Sequence, residues 1–374
     1  MLKGIHLTLM VGPAVPVAAS YEVMEALTSV QVTVPTEGAS AFDLTFELSN
    51  RSPLHTLFLL AGGAGIPILR VVLVATLNGT PNVLIDGVMT NHEVSPGNQG
   101  KATMSIKGDD LSVVMDHIDL SGIPYPAMPI FTRVAAILAK YAPLGVIPKV
   151  IPNLNPVPPN PLDRIPRQQG TDLQYIQMLA KQVGYTFYME PGPKPGTSFG
   201  YWGPLIKTGP AQPALTTNMD AHTNVESLSF RFNSNKKMLP IVLIQEPFTK
   251  LPIPIPIGDV GPLNPPLGAI PPIPHKIKLL KQTAKMSFAE AAEAGLGEAS
   301  RSSDVVSASG SLDVLRYGRI LQPRKLVGVR GAGHAFDGLY YVETVTHKIK
   351  RGEYKQDFTL SRNGLVSTVG KVPA

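Results

Sequence analysis

The side chains most able to do chemistry in this sequence are acidic residues that cluster near position 115. Five potential metal ligands lie close together: Asp109, Asp110, Asp116, His117 and Asp119. Oxygen-rich clusters of this kind can hold calcium or magnesium. A calcium loop, however, places its acidic groups at alternate positions around a glycine, whereas these flank an apolar run. We therefore interpret them as solvated helix ends and predict no metal site.

Other catalytic patterns are incomplete. The eight histidines are His6, His55, His92, His117, His222, His275, His334 and His347. No two of them have the spacing of a zinc-protease helix, and no Gly-x-Ser-x-Gly motif is present. The glycine-rich runs at 62–65 and 328–333 lack a dinucleotide fingerprint and a phosphate loop, so we interpret them as turns. We predict no catalytic residue and no cofactor, although a triad dispersed along the chain stays open.

Two further features have a functional and a structural interpretation. Lys276, Lys278, Lys281 and Lys285 form the most basic short run, which suits contact with DNA or an acidic partner, but a solvated helix face is the simpler interpretation. Trp202 suits a partner or carbohydrate platform. We favour packing of Trp202 against the surrounding domain.

The composition excludes several protein classes. The 374 residues contain no cysteine, which rules out disulfides, thiolate nucleophiles and cysteine-based zinc sites. Charged residues make up 16% and hydrophobic residues 44% of the chain, which favours a protein that hides much of its surface. The net charge of +6 is modest and dispersed, so we predict no specific nucleic-acid binding.

Strand-like alternation predicts a first antiparallel β unit between residues 21 and 116. Gln31–Val34 and Phe42–Leu48 alternate, and the runs 71–77 and 83–93 surround Asn78-Gly79, a favourable hairpin turn. A helical period then appears from Ile130. Residues 143–166 contain eight prolines and predict an extended connection.

The clearest local signal is a helix followed by a strand at residues 170–189. Thr171 and Gln174 have capping-box spacing, and Gly184 can end the helix in the left-handed conformation. A second β unit begins with the strict alternation of Val225–Phe232. A proline-rich insertion ending in a short helix near residues 287–294 interrupts it, and strands resume at Leu326. This β, α/β, β order indicates an internal duplication, although no identical residues support it.

Four segments together resemble a known family. They are Val83–Met89, a strand ending at a glycine; Ile106–Asp116, a strand-to-helix exit; Gly170–Phe187; and the closing strands Gly338–His347 with Phe358–Asn363. Their order resembles the baseplate hub proteins of contractile phage tails, the late control D proteins, and the hub half of type VI secretion spike proteins.

The resemblance implies an α+β, mainly β, fold with two tube-like antiparallel β-barrel domains. The first would span 1–117, a small inserted α/β domain with a proline-rich connection 118–221, and the second 222–374, with a proline-rich and helical insertion at about 247–310. Three chains would then present six similar barrels. Such a trimer would match a six-fold tail tube on one face and a three-fold spike on the other.

The implied partners are other copies of the chain in a homotrimer, the tail tube protein, a spike protein and further baseplate components. No room is expected after residue 365 for a fused oligonucleotide-binding barrel or needle, so a separate spike is expected. Leu57–Leu77 is interrupted by Pro67, Arg70 and three glycines, and we predict no membrane span. With no secretory signal expected, we predict assembly in the bacterial cytoplasm into a phage tail or phage-like injection particle.

The competing functions belong to other classes. A secreted or tail-associated β-rich glycan or peptidoglycan hydrolase would need a cleft with paired carboxylates, and no spacing indicates one. A monomeric β protein that binds a glycan or another small molecule is the third hypothesis. The assembly state distinguishes them, because the hub requires trimers whereas both rivals tolerate a monomer.

Overall fold

The computed structural model describes residues 4–13, 15–48, 68–96, 102–153, 158–162, 165–245, 249, 251–258, 261, 263–280, 288–370 and 372. Within these residues the chain is mainly β, as the sequence predicts. It comprises a first β unit, a helix-containing insert and a second β unit, which carries a proline-rich arm.

The first unit is an antiparallel sheet with a short helix. Its elements are β1 (Ile5–Gly12), β2 (Val17–Ala18), α1 (Tyr21–Ala26), β3 (Leu27–Pro35), β4 (Ala41–Leu48), β5 (Arg70–Leu77), β6 (Thr80–Pro96) and β7 (Ala102–Asp110). Alternate residues of β3 and β4 are buried, which confirms the strands predicted there. Asn78 and Gly79 join β5 to β6 with φ values of 49° and 80°, the positive angles that a tight hairpin requires.

The insert packs two helices against a small sheet. Its elements are α2 (Ile130–Ala139), β8 (Val146–Val150), α3 (Asp172–Gln182), β9 (Thr186–Pro191) and β10 (Ser198–Gly203), with the strand order β8-β10-β9. The Thr171 hydroxyl accepts a hydrogen bond from the Gln174 N–H at 3.3 Å, and Gly184 follows the helix with φ 69°. Both predicted ends of α3 are confirmed.

The remaining chain forms the second unit and the arm. Its elements are β11 (Gln212–Thr216), β12 (Val225–Phe232), β13 (Met238–Gln245), β14 (Pro252–Pro256), β15 (Gly268–Ile270), β16 (Lys276–Leu279), α4 (Phe288–Ser303), β17 (Val306–Asp313), α5 (Val314–Tyr317), β18 (Leu326–Arg330), β19 (Gly338–Lys350), β20 (Glu353–Arg362) and β21 (Leu365–Ser367). The predicted strands at 225–232 and from 325 to 362 are confirmed. The expectation that strands resume only at Leu326 is wrong, because β17 precedes it and pairs with β12 and β20.

The proline-rich arm, which includes β13, β14, β16 and α4, differs from two of the expectations drawn from the sequence. β13 pairs with β14 antiparallel and with β16 parallel, so Lys276 and Lys278 lie on a strand. The predicted helix face for this lysine run is therefore wrong there, and Lys281 and Lys285 lie outside the described residues. The predicted short helix continues to Ser303, passing Gly297, whose missing side chain leaves room for the backbone of Gly184.

Strands of both units belong to one 13-stranded sheet. Its main path runs β12-β17-β20-β19-β3-β4-β7-β6-β5-β1-β2, and β18 and β11 branch from β19. Among the described strands this path is open and does not close into a barrel. Two tube-like barrels in each chain therefore stay a prediction.

The two units repeat one strand order. The first unit runs β3-β4-β7-β6-β5 across the sheet, and the second runs β12-β17-β20-β19-β18. In chain order both read first, second, fifth, fourth, third, with every neighbouring pair antiparallel. The repeated topology supports the internal duplication that the sequence pattern indicates.

Two pairs of pairing irregularities also coincide, whereas the shift between Leu73 and Val74 in β5 has no counterpart in β18. The coinciding irregularities fall between Leu27 and Ser29 in β3, between Val225 and Ser227 in β12, between Met89 and Asn91 in β6, and between Val342 and Thr344 in β19. A β-bulge shifts which residues face each other and bends the strand. Matching bulges therefore align the two units residue by residue.

Alignment on these bulges shows two core pairs in which large and small residues have changed places. Leu44 opposite Ile106 in the first unit becomes Gly310 opposite Phe358 in the second, and Phe42 opposite Gly108 becomes Ala308 opposite Leu360. Each large residue lost from one strand is replaced across the pair, as close packing requires. Exchanges of this kind, with Ser29 and Ser227 as an identical pair next to the bulges, explain why the duplication is hard to recognise in the sequence.

Two large cores hold the molecule together. One runs continuously through both β units, and the other fills the insert, where Trp202 is fully buried. Trp202 packs edge-on against Tyr185 and donates a hydrogen bond to the Ile176 carbonyl at 3.4 Å. Packing, the interpretation favoured for this residue, is what the structure shows. Among the described helices, none is long and apolar enough to cross a membrane.

Replacing Gly297 by alanine should destabilise the protein by about 1–3 kcal/mol, because the added methyl group would overlap the Gly184 backbone. The control is Gly258→Ala, where the new methyl group meets open space. That control should change stability by less than about 1 kcal/mol. Urea denaturation measures both, and equal stability of the two variants would contradict the close helix contact.

Candidate functional site

The two β units join along a single strand pair, β3 with β19, which we call the seam. Ser29–Pro35 lies antiparallel to Thr344–Lys350. The core-facing pairs are Val34 with Val345, Val32 with His347, and Val30 with Ile349, and all six residues are buried. On the outer face, the Thr33 and Thr346 hydroxyl oxygens lie 3.2 Å apart. The seam therefore fixes the spacing and orientation of the two units through both backbone and core contacts.

Arg324 anchors one end of the seam and also contacts the insert. Its guanidinium donates hydrogen bonds to the carbonyl oxygens of Thr36 (3.2 Å) and Pro35 (2.5 Å), just beyond β3 and at its end. The guanidinium carbon lies 3.7 Å from the centroid of the Tyr188 ring on β9, a stacked cation–π contact. Burial lowers the pKa of this guanidinium, which nevertheless stays charged at any physiological pH. Arg324 thus connects the first unit, the insert and the second unit.

A buried polar group lies beneath the other part of the seam. The His347 Nδ1 atom is 2.8 Å from the Tyr354 hydroxyl and 3.4 Å from the Gln356 side-chain nitrogen. Gln356 in turn exchanges hydrogen bonds with both backbone groups of Leu321. Burial lowers the pKa of His347 to about 4, so the imidazole is neutral at physiological pH.

A cleft of about 640 Å³ lies where the seam meets the insert. Thr36 and Arg324 line it from the seam, and Tyr188, Glu190 and Tyr201 line it from the insert. Glu190 is the only carboxylate among the described lining residues. A hydrolase of the glycosidase type needs two carboxyl groups across its cleft. The cleft does not provide that pair.

Two stacked tyrosines, Tyr188 and Tyr201, form an aromatic wall of the cleft. Tyr188 and Tyr201 stack at 4.7 Å with an angle of 19° between their rings, and Lys149 Nζ lies 5.7 Å from the Tyr201 centroid. Burial raises the pKa of Tyr201 to about 12 and also raises that of Tyr188. Both phenols are therefore protonated at neutral pH and can donate hydrogen bonds but cannot serve as general bases.

The acidic cluster singled out from the sequence is dispersed into local hydrogen bonds. Asp110 caps the short 3-10 helix 111–116, accepting from the backbone N–H groups of Ser112 (3.0 Å) and Ser40 (2.6 Å). It is buried, which raises its pKa, so its interpretation as a solvated helix end is wrong. The Asp110 carboxylate is covered because it also accepts a hydrogen bond from Ser40, which directly precedes β4.

The other members of the cluster have separate roles. Asp116 accepts hydrogen bonds from the Thr171 hydroxyl and the Gln174 side chain, which ties the first unit to α3. Asp119 is exposed and accepts from the Ser121 N–H at 2.8 Å, and hydrogen bonding to the side chain and then to the backbone of Ser121 lowers its pKa. Across the described part of the chain, no three His, Asp or Glu side chains are grouped so that they could hold a metal ion.

The glycine-rich run at 328–333 lies partly in a strand and partly in a turn. Gly328 belongs to β18, and Gly331 and Gly333 have φ values of 83° and 91° before β19 begins. The turn interpretation is confirmed for these last two glycines. The run at 62–65 lies outside the described residues.

Sequence reasoning did not identify Arg324 or the seam. Arg324 follows Pro323 in an unpatterned stretch, and its contacts with β3 and β9 lie far away along the chain. For the seam a signal existed, because Val30, Val32 and Val34 alternate over one face of β3. Alternation shows that a strand has a buried face but does not identify its neighbouring strand.

Replacing Arg324 by alanine should lower the free energy of unfolding by about 2–3 kcal/mol, because two charged hydrogen bonds and one cation–π contact are lost. Arg324→Lys should lie between wild type and alanine, since one ammonium cannot reproduce the planar fork. Exposed Arg319, which lines the same cleft, provides the control Arg319→Ala. Equal losses for Arg324→Ala and Arg319→Ala in urea denaturation would refute the anchor.

The low pKa of His347 predicts a pH-dependent stability. The unfolded state takes up a proton near pH 6.5 and the folded state only near pH 4, so this contribution is complete above pH 6.5. Between these values it decreases by about 1.4 kcal/mol per pH unit as the pH falls. The stability difference between wild type and His347→Gln should narrow from pH 7.5 to pH 5. A difference that stays constant between these pH values would contradict the assignment.

The architecture of this chain has counterparts among solved structures. The sequence matches no family model and no curated protein. Among solved structures, the chain is similar to the tail protein from Neisseria meningitidis MC58, with a TM-score of 0.63, 14% identity, and 97% of this chain and 98% of that chain covered. It is also similar to the 43 kDa tail protein of prophage MuSo2 from Shewanella oneidensis, with a TM-score of 0.59, 16% identity, and coverage of 96% and 98%.

A third similar structure comes from a secretion system. It is an Escherichia coli component of the type VI secretion system that exhibits structural similarity to T4 bacteriophage tail proteins gp27 and gp5. The TM-score is 0.52 at 12% identity, with 93% of this chain and 76% of that chain covered. The chain therefore has the fold of these phage tail and type VI secretion proteins, which confirms at the level of fold the resemblance inferred from its sequence.

Proposed function

We propose that this chain is a structural baseplate hub subunit that forms a trimer and adapts a six-fold tail tube to a three-fold spike. The observation that carries the proposal is the repeat of one strand order, with matching bulges, in two units joined along the seam. Two nearly equivalent units in one chain are what a three-fold assembly needs in order to present six similar surfaces.

The proposed division of labour follows the two units and the insert. Residues 1–117 and 222–374 supply the two tube-like domains, with the proline-rich and helical insertion at about 247–310, and residues 118–221 supply the small α/β domain. The similar sheets of the two tube-like domains face the tail tube protein, and the three-fold arrangement of whole chains faces the spike.

The proposed partners are the tube protein, a separate spike protein and other baseplate components. The similarity in fold to a type VI secretion component with structural similarity to T4 tail proteins supports this choice. The proposed setting is a phage tail or phage-like injection particle assembled in the bacterial cytoplasm. The proposed role is non-enzymatic and uses no cofactor, and the similarity in fold to phage tail proteins supports a structural role.

The test is the mass of the purified chain in solution by light scattering, alone and with the neighbouring spike protein. We expect three times the mass of one chain, and a larger complex when the spike is added. An unrelated trimeric β-helical protein serves as the control for nonspecific binding. A persistent monomer that binds no spike would refute the hub function and direct attention to hydrolase or glycan-binding assays.

A further inference from the structure

One strand pairing that the second unit makes has no equivalent among the described residues of the first unit. On one side, β19 has two neighbours, since its first residues pair with β18 and Thr344–Lys350 pairs with β3. The equivalent strand β6 pairs with β5 over its first part, through Val88. Beyond Met89, its edge on that side has no strand partner among the described residues, although β7 still covers the other edge. Among the described residues, the first unit thus has an unpaired strand edge where the second unit has the seam.

The strand that would fill this position is also unpaired on one edge. By strand order and bulge position, β12 is the counterpart of β3. Whereas β3 pairs with β4 and β19, β12 pairs only with β17 within the described part of the chain. One molecule therefore carries both halves of a second seam, one in each unit, and no described strand pairs with either half.

We propose that Asn91–Pro96 of β6 pairs antiparallel with Leu228–Asn233 of β12 from a second copy of this chain, in the register of the seam. The inference rests on the proposed trimer and identifies the surface that builds it. The occupant is a second copy because the matching edge belongs to this same chain and because the register is already realised once inside each molecule.

The bulge alignment fixes which residues meet. Asn91 corresponds to Thr344 in β19, and Asn233 corresponds to Pro35 in β3, a pair that meets in the seam. The intermolecular pairs are therefore Asn91 with Asn233, His92 with Phe232, Glu93 with Arg231, Val94 with Phe230, Ser95 with Ser229, and Pro96 with Leu228. This list follows from backbone register alone, without reference to side-chain chemistry.

The side chains brought together in this way are complementary. Glu93 and Arg231 occupy the positions of Thr346 and Thr33, whose hydroxyl oxygens are 3.2 Å apart in the seam, so opposite charges would face each other directly. No ion pair engages either residue among the described contacts. On the core side, Val94 and Phe232, which are 45% and 42% exposed in the single chain, would be covered. Opposite charges and apolar pairs across neighbouring strands both stabilise a sheet.

The geometry also explains how the assembly closes. A pairing between β6 of one copy and β12 of the next is head-to-tail, and such a contact forms a ring when the rotation between neighbouring copies closes. Every unit would then meet its neighbour through the same strand pair, alternately within one chain and between two chains. With three chains, six equivalent junctions join six similar units.

Charge reversal tests the register. Glu93→Arg and Arg231→Glu each place like charges opposite one another, and each should weaken association at least about tenfold, measured by sedimentation equilibrium. The double variant Glu93→Arg/Arg231→Glu should restore most of the loss. Glu22→Arg and Arg316→Glu, which reverse exposed charges outside both edges, are matched controls and should leave the association unchanged.

Cysteine cross-linking tests the same register independently, since the chain has no cysteine of its own. The variant Ser95→Cys/Ser229→Cys places two thiols directly opposite each other and should yield reducible dimer and trimer bands on oxidation. Ser95→Cys/Ser227→Cys, displaced by two residues, should cross-link far less, as should both single variants.

The outcomes separate this inference from the proposed function. A trimer weakened by the single reversals, restored by the double reversal and cross-linked at Ser95 and Ser229 supports the pairing. A wild-type trimer indifferent to the reversals and not cross-linked overturns the pairing while leaving the trimeric hub intact. A wild-type chain that is monomeric at all concentrations overturns both.

Discussion

The antiparallel pairing of β3 with β19 is the interaction on which the rest of the structure depends. It joins strands more than 300 residues apart, so a single core can pass from one unit into the other. Arg324 stacks on Tyr188 while holding the end of β3, which fixes the insert relative to the same junction. The cleft, the buried His347 group and the spacing of the two units all follow from this one pairing.

The repeat shows which properties of a duplicated unit are constrained. Strand order, two bulge positions and the register around them persist in both units, whereas two core pairs exchange large and small residues across the strands. Phe42 with Gly108 and Ala308 with Leu360 fill comparable space in opposite arrangements. Register is constrained because a shift of one residue would turn a buried face outward, whereas packing constrains only the total volume.

Local patterns predicted much of the fold, and long-range pairings could not be predicted in this way. The ends of α3, the hairpin at Asn78 and the alternating strands depend on neighbours within a few residues, so their signals are in the sequence. β17 was missed because alternating serines, alanine and glycine give weak hydrophobic contrast, and β1 was not identified either. Asp110 was misjudged because its burial depends on β4, and Arg324 was overlooked because its partners lie on distant strands.

The edge of β3 pairs with β19, whereas the equivalent edge of β12 has no strand partner among the described residues. This difference connects the fold to the proposed assembly. Soluble proteins usually protect strand edges with charge, bulges or covering segments, because an open edge invites pairing. In this chain β3 is covered within the molecule, while its counterpart β12 carries Phe232 and Arg231 at a described edge without a strand partner. A duplicated unit whose two junctions were both closed internally could not extend beyond itself. In the proposed trimer, the junction left unpaired among the described residues would let identical chains continue the sheet contact that the seam makes within each chain, which gives the asymmetry between the repeats a structural role.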